Sequence, residues 1–200
     1  MKALLITILS FCLPFLSVIR ISTYLYTHEN QPTYVSLLGA AFVGACVLVF
    51  VINRAFKLFK MSFRNSLIAS FVVMLGFVGY TTFVFSESNA KDGSVKSEFY
   101  ALHPILRLAI GGLVIVDRNL VVTDMKRSVS DYDRMGLKRN PNSLHRIQKT
   151  GYAHAVDLRT NGRLFVRNWV MQLYFWMVGF DTLRHGGTGD HLHVSIPVRR

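Results

Sequence analysis

Three long apolar runs occupy the first 86 positions of the chain, and a mixed pattern of shorter apolar segments follows them. The runs cover residues 3–19, 34–52 and 66–85, and none of them contains a charged side chain. A helix of about 20 apolar residues crosses a hydrocarbon core of about 30 Å, because it rises about 1.5 Å per residue. It also satisfies its backbone hydrogen bonds internally, as lipid requires. The pattern therefore predicts a membrane anchor of three transmembrane helices within residues 1–86.

The first run has an alternative interpretation. Lys2 followed by an apolar stretch is also typical of a cleaved signal peptide. No small-x-small cleavage site follows the run, however, and Arg20, Tyr24 and Tyr26 resemble the residues that line a membrane interface. We therefore expect the first helix to be retained.

The charges of the short loops predict the orientation. Four basic residues and no acidic residue lie between the second and third runs, namely Arg54, Lys57, Lys60 and Arg64. Short cytoplasmic loops carry such an excess of Lys and Arg. The first loop, residues 22–33, contains no Lys or Arg, and its only His or acidic residues are His28 and Glu29. We expect a multi-pass protein of the cytoplasmic (inner) membrane, with a cytoplasmic N-terminus and an extracytoplasmic, periplasmic C-terminal half.

Residues 87–98 are polar and are expected to form a linker, and residues 99–200 are expected to form one domain. The expected helices cover residues 99–110, 129–135 and 164–178, and the expected strands cover residues 120–123, 153–158, 180–183 and 191–196. Helices and strands in this order favour a small α+β domain. Segment 164–178 is interrupted by polar residues and is too short for a fourth membrane span. We interpret it as a core helix, with Trp169, Phe175 and Trp176 inside.

Composition limits the class of protein further. The chain is 51% hydrophobic and 17% charged, which excludes a single soluble globule and a disordered chain. Cys12 and Cys46 both lie in apolar runs, so the sequence contains no disulfide framework. The net charge of +12 favours anionic partners such as a cell-wall polymer or lipid headgroups. Nucleic acid is not expected on the outer side of the membrane.

Histidines and aspartates of the C-terminal half have the spacing of metal ligands. His191 and His193 alternate along one strand candidate, so their side chains share a face. His145 precedes another strand candidate, which contains Asp157. His145, Asp157 and His193 would leave a fourth position for water, as a catalytic zinc ion needs. Asp190, three residues before His193, is a candidate to take the proton of that water.

These residues resemble the zinc D,D-carboxypeptidase and L-alanyl-D-glutamate endopeptidase family, whose members cut peptidoglycan stem peptides. That family carries S-x-H-x-x-G-x-A-x-D, followed by [ED]-x-x-H near the C-terminus. The matching positions are Ser143, His145, Gly151, Ala155 and Asp157, and then Asp190 and His193. Upstream, Thr123, Arg127 and Ser128 occupy the place of the family's arginine motif. The resemblance covers roughly residues 100–197.

The resemblance implies a zinc-peptidase-like domain of the Hedgehog/DD-peptidase type with Zn²⁺ as cofactor. It implies His145, Asp157 and His193 as ligands, Asp190 as general base and then acid, and Arg127 as the group that polarises the scissile carbonyl. Arg127, Ser143 and His191 are the substrate-binding candidates.

The chain departs from the family pattern between the first two ligands. Eleven residues separate His145 from Asp157, whereas the family usually has six. A loop can lengthen without moving its ends, at a modest entropic cost. His154 is therefore an alternative ligand, although Ser143 two residues earlier favours His145.

The expected function is that of a membrane-anchored zinc metallopeptidase acting on peptidoglycan stem peptides, of the carboxypeptidase or endopeptidase type. The alternative is a zinc-containing domain that binds wall peptide or a partner protein without cutting it.

Overall fold

The computed structural model describes residues 2–55, 62–134, 136, 138–187 and 189–197. The chain forms two compact units, residues 1–80 and residues 81–200. The first two apolar runs lie in helices α1, Lys2–Thr27, and α2, Thr33–Ala55. The third run lies in α3, Phe63–Phe83, except for its last two residues. Thr33–Arg54 and Phe63–Phe83 are long and apolar enough to cross a membrane, by length and composition. Lys57 and Lys60 lie outside the described residues.

Helix α1 extends eight residues beyond the end of its apolar run. No glycine or proline interrupts the chain after Arg20 until Pro32, and Asn30 adopts a left-handed conformation with φ of 55°. Asn is one of the few residues that enters this region readily. The helix ends at Thr27, three residues before this left-handed residue.

A glycine sets the spacing of α1 and α2. A Cβ atom on Gly44 would lie 2.2 Å from Cγ2 of Val18, so a larger residue cannot occupy this position without a shift. Ala40, Ala41 and Ala45 are buried on the same helix. Small residues let helices approach closely, which is how helices pack in lipid.

The second unit is built on a four-stranded antiparallel sheet with the order β1-β2-β4-β3. The strands are β1 Val122–Asp124, β2 Ala155–Arg159, β3 Asp181–His185 and β4 His191–Ser195, and the helices are α4 Gly93–Ser97, α5 Pro104–Val116, α6 Val129–Arg134 and α7 Phe165–Met177. The expectation of a small α+β domain is confirmed. Helix α5 is the core helix, because nearly all of its first ten residues are buried.

Residues 87–98, expected as a linker, belong to this unit. They form a 3-10 turn, Glu87–Asn89, and helix α4. The buried Asn89 side chain donates to the carbonyls of Arg118 and Leu120, at 2.9 and 2.7 Å. The segment is polar because its side chains form hydrogen bonds with backbone groups at helix ends and in neighbouring loops. It is therefore part of the folded unit and not a linker.

Helix α7 has nearly the expected bounds, but its two tryptophans are exposed and not buried as expected. Phe175 is fully buried, whereas Trp169 and Trp176 are 58% and 70% exposed. The buried face consists of Asn168, Met171 and Phe175. The prediction that both tryptophans lie in the core is wrong, because the helix buries one narrow stripe and that stripe does not contain them.

Candidate metal centre

The pairing of β2 with β4 places two candidate ligands, Asp157 and His193, side by side. Asp157 on β2 lies directly opposite His193 on β4. Directly opposed residues of an antiparallel pair project from the same face of the sheet. Nδ1 of His193 accordingly lies 2.8 Å from Oδ1 of Asp157. Strand β2 is internal to the sheet, so the Asp157 carboxylate is almost fully buried.

Two backbone hydrogen bonds hold the segment around His145, the remaining candidate ligand, in place. The amide of Arg127 donates to the carbonyl of His145 at 2.9 Å, and the amide of His154 donates to the carbonyl of Leu144 at 2.8 Å. These bonds tie the segment around His145 to the chain after β1 and to the start of β2. The long loop between His145 and Asp157 therefore leaves both of its ends at the site.

The three side chains converge on one point. Nε2 of His145 lies 3.2 Å from Nδ1 of His193 and 3.2 Å from Oδ1 of Asp157. His154, the alternative ligand, lies elsewhere: its Nε2 is 2.8 Å from the Thr150 hydroxyl and its ring faces His103. The structure thus brings together the predicted set of His145, Asp157 and His193.

This donor set fits a divalent metal ion. Ligands bound at 2.0–2.1 Å in tetrahedral geometry are about 3.3 Å apart. The two separations that involve His145 are 3.2 Å, and the separation of His193 and Asp157 is shorter, at 2.8 Å. Nδ1 of His145 is buried and has no hydrogen-bond partner among the described residues. The polar contacts of this ring are made by Nε2, the atom that faces the other two ligands.

Arg127 supports the cluster from the other side of the carboxylate. Its Nη2 lies 2.7 Å from Oδ2 of Asp157, and its Nε donates to Asp124. Burial by itself would raise the pKa of Asp157, but hydrogen bonds from His145 and His193 hold that pKa far below its usual value. Asp157 is therefore charged and oriented, with Oδ1 facing the histidines and Oδ2 facing Arg127.

Asp190, the proposed base, is bound by Arg184. Its carboxylate accepts from Nε and Nη2 of that arginine at 2.8 and 2.7 Å. The hydrogen bond from Arg184 lowers the pKa of Asp190 to about 2. Among the described residues, no hydrogen bond or ion pair joins Asp190 to His145, Asp157 or His193.

The two remaining substrate-binding candidates, His191 and Ser143, differ in how they contact the three candidate metal ligands. His191 donates through Nδ1 to the carbonyl of Gly189, and its Nε2 lies 3.6 Å from Oδ2 of Asp157. Ser143 is buried in the turn before His145, and its carbonyl accepts from the Gln148 side chain at 3.1 Å. His191 can therefore face a molecule at the site, whereas Ser143 contributes first to the turn.

Two further residues of the site were not among those predicted from the sequence. Asp124 ends β1 and binds Arg127, and burial raises its pKa against the opposing effect of His145 and Arg127. His185 on β3 stacks on His191 with ring centroids 4.7 Å apart. The sequence did contain a signal for both: an acid three residues before Arg127, and a histidine at each end of a glycine-rich hairpin.

The arrangement can hold one divalent ion between a loop and two strands, with Arg127 fixing the carboxylate ligand. Carboxylates and histidines held in this way keep their orientation when the ion is bound. Comparisons of the chain with protein-family models, with curated proteins and with solved structures gave no match, so a function is inferred from these residues themselves.

Proposed function

We propose that the chain is a membrane-anchored zinc metallopeptidase that hydrolyses peptide bonds of peptidoglycan stem peptides, with a second unit of the Hedgehog/DD-peptidase type. The observation that carries the proposal is the convergence of His145, Asp157 and His193 within 4.8 Å of one another. Two imidazoles and one carboxylate are a common ligand set of catalytic zinc. They also occur in the order of the peptidase motifs that the sequence resembles.

Zinc in such a site polarises a carbonyl and lowers the pKa of a coordinated water. Arg127 pairs with both Asp124 and Asp157. We propose that its positive charge stabilises the negative charge that develops on a substrate carbonyl when the carbonyl takes the place of one of these contacts. Asp190 is the proposed proton acceptor and donor. For that role its carboxylate has to exchange part of its contact with Arg184 for the substrate side of the site.

The charges of the chain support the substrate class and the location. The net charge is +12, which favours an anionic wall polymer. The basic loop around Arg54 and Arg64 favours a cytoplasmic position for that loop. Three crossings would then place the second unit outside the cytoplasm, where peptidoglycan lies.

The test is cleavage of purified stem peptides by the full chain in detergent, with zinc content measured on the same samples. We expect the zinc-loaded protein to cleave these peptides. Mass spectrometry of the products detects the cleavage. Asp190→Asn should retain zinc and lose turnover by about two to four orders of magnitude, because it keeps the shape and removes the base. Arg127→Lys should recover only part of the activity lost in Arg127→Ala, since lysine lacks the planar fork.

The pairing of Asp190 with Arg184 favours a second candidate, a zinc-containing domain that binds wall peptide without cutting it. A carboxyl with a pKa of about 2 is a weak base. Under this alternative the zinc-loaded chain binds stem peptides, releases no product, and loses no function in Asp190→Asn. Full cleavage activity in Asp190→Asn would instead remove the base assignment alone.

A further inference from the structure

Helix α7 presents a continuous apolar face to its surroundings. Seven large apolar side chains of this helix are exposed: Phe165, Val166, Trp169, Val170, Leu173, Trp176 and Met177. At about 100° per residue these positions fall within an arc of about 140°. The opposite side of the helix is buried in the unit through Asn168, Met171 and Phe175. One helix therefore has a protein-facing stripe and a second, outward apolar stripe.

The outward face is held rigidly by the unit behind it. The Tyr174 hydroxyl donates to the carbonyl of Ala109 on α5 at 2.8 Å, and the Phe175 ring meets Phe180 edge to face at 6.0 Å. The end of α5 continues the exposed surface with Ile115 and Val116. With 13 residues, α7 is about 20 Å long, too short to cross a bilayer of about 30 Å.

The charges around this face favour an anionic lipid surface. Helix α7 contains no acidic residue. At its N-terminal end, Arg163 and Arg167 both pair with the single carboxylate of Asp117, so one positive charge is left in excess. Basic residues beside a stripe rich in Trp, Phe and Leu are typical of helices that lie in the plane of a membrane interface.

The tryptophans give a further indication. The protein has two tryptophans, Trp169 and Trp176, and both lie on this exposed face. Tryptophan is enriched where a protein meets the headgroup region of a bilayer. The same chain contains two helices long and apolar enough to cross a membrane, which would keep a bilayer within reach of the second unit.

We propose that the exposed face of α7 inserts into the interfacial layer of an anionic lipid bilayer, as a membrane contact of the second unit separate from the apolar helices near the N-terminus. The contact involves no metal ligand, so it stands or falls independently of peptidase activity. Its occupant is lipid: acyl chains against the apolar side chains and anionic headgroups beside Arg167, which is the exposed one of the two arginines.

Tryptophan fluorescence tests this contact directly, because both reporters lie on the face. The full chain is reconstituted in vesicles of phosphatidylcholine and phosphatidylglycerol, with or without bromine on the acyl chains. We expect the brominated lipid to quench the emission and aqueous iodide to leave it unchanged. Trp169→Phe and Trp176→Phe assign the signal to each reporter. Quenching by iodide alone would overturn the proposal, and so would quenching by neither agent, which would mean that protein covers the face.

A charge variant with a matched control adds a second readout. Leu173→Glu places a carboxylate on the face and should reduce bromolipid quenching by about twofold or more, since a charge is costly in an apolar layer. Asn142→Glu introduces the same charge at an exposed loop position outside α7 and should leave the quenching unchanged. Equal effects of the two variants would contradict the proposed contact.

Discussion

Asp157 accepts contacts from side chains that come from three separate parts of the chain. Oδ1 meets His145 and His193, and Oδ2 meets Arg127. A metal ion at this point links distant segments, so its loss should also destabilise the second unit. We expect His145→Ala, Asp157→Ala and His193→Ala each to lower the bound zinc, as measured by mass spectrometry of the metal in the purified full chain.

The matched control is His154→Ala. This residue also lies in the long loop, but its ring contacts Thr150 and His103 rather than the cluster. It should retain zinc. Loss of zinc in His154→Ala, with zinc retained in His145→Ala, would show that the second histidine is the ligand.

His103 makes the stability of the second unit sensitive to acid. Burial, helped by the electrostatic effects of His154 and Arg107, lowers its pKa from 6.5 to about 3. Between these values the unfolded chain binds a proton that the folded chain does not, so stability decreases as the pH falls from 6.5 towards 3. The slope for one such group is at most about 1.4 kcal/mol per pH unit.

We expect His103→Asn to flatten this dependence. Asn keeps an acceptor at the N-terminal cap of α5, where Nδ1 of His103 accepts from the amide of Ile105 at 3.3 Å. The measurement is thermal unfolding followed by tryptophan fluorescence between pH 6.5 and 4.5, a range above the titration of Asp157. An unchanged slope in the variant would assign the acid sensitivity to other groups.

Among the elements, α7 separates two neighbouring aromatic residues into different environments. Phe175 is fully buried, and Trp176 beside it is 70% exposed. We expect Phe175→Ala to lower the free energy of unfolding by about 3–5 kcal/mol, because it leaves a cavity against Phe180. Trp176→Ala should change it by no more than about 0.5 kcal/mol. Denaturation in detergent followed by circular dichroism compares them, and similar losses would contradict the orientation of the helix.

The same helix shows what the sequence could and could not predict. The run of residues 164–178 predicted a helix almost to the residue, since the length and period of an apolar segment are local properties. Which stripe faces the protein depends on where α5 and β3 lie, and both stripes of α7 are apolar. The pattern therefore predicted the helix but placed Trp169 and Trp176 on the wrong side.

Element boundaries deviated where single residues decide them. The helix expected over residues 99–110 begins at Pro104, because proline is favoured at the first helical position, and it continues to Val116. Segment 87–98 was expected to be a linker because it is polar. Its polar groups are instead used in contacts such as that of Asn89 with the carbonyl of Leu120, which lies far along the chain.

The candidate site was largely predictable because its ligands follow strand alternation and motif spacing. The first histidine ligand was not decided by the sequence, since spacing alone did not distinguish His145 from His154. The backbone bonds of His145 and Leu144 place the first histidine at the site. The pairing of Asp190 with Arg184 was not predictable, because it depends on the register of the β3–β4 hairpin.

For the whole molecule, the proposed peptidase activity requires the second unit to be on the side of the membrane where peptidoglycan lies. The loop charges supply the orientation: Arg54 and Arg64 flank a segment with basic and no acidic residues, whereas the preceding loop contains no Lys or Arg, and its only His or acidic residues are His28 and Glu29. Positive charge is retained in the cytoplasm. If all three apolar runs cross the membrane from a cytoplasmic N-terminus, as we propose, residues beyond 86 lie outside the cytoplasm.

We expect a reporter enzyme that is active only outside the cytoplasm to be active when fused after Arg200 and silent when inserted between Arg54 and Arg64. Removing two of the four positive charges of that loop, by Arg54→Gln together with Arg64→Gln, should weaken the bias and raise the activity of the loop fusion, because orientation follows the Lys and Arg of short loops. Replacing His28 and Glu29 in the other loop by Gln is the control and should change neither fusion. The opposite pair of reporter results would place the second unit in the cytoplasm, away from peptidoglycan. The metal centre would then need a cytoplasmic substrate, even if every ligand prediction held.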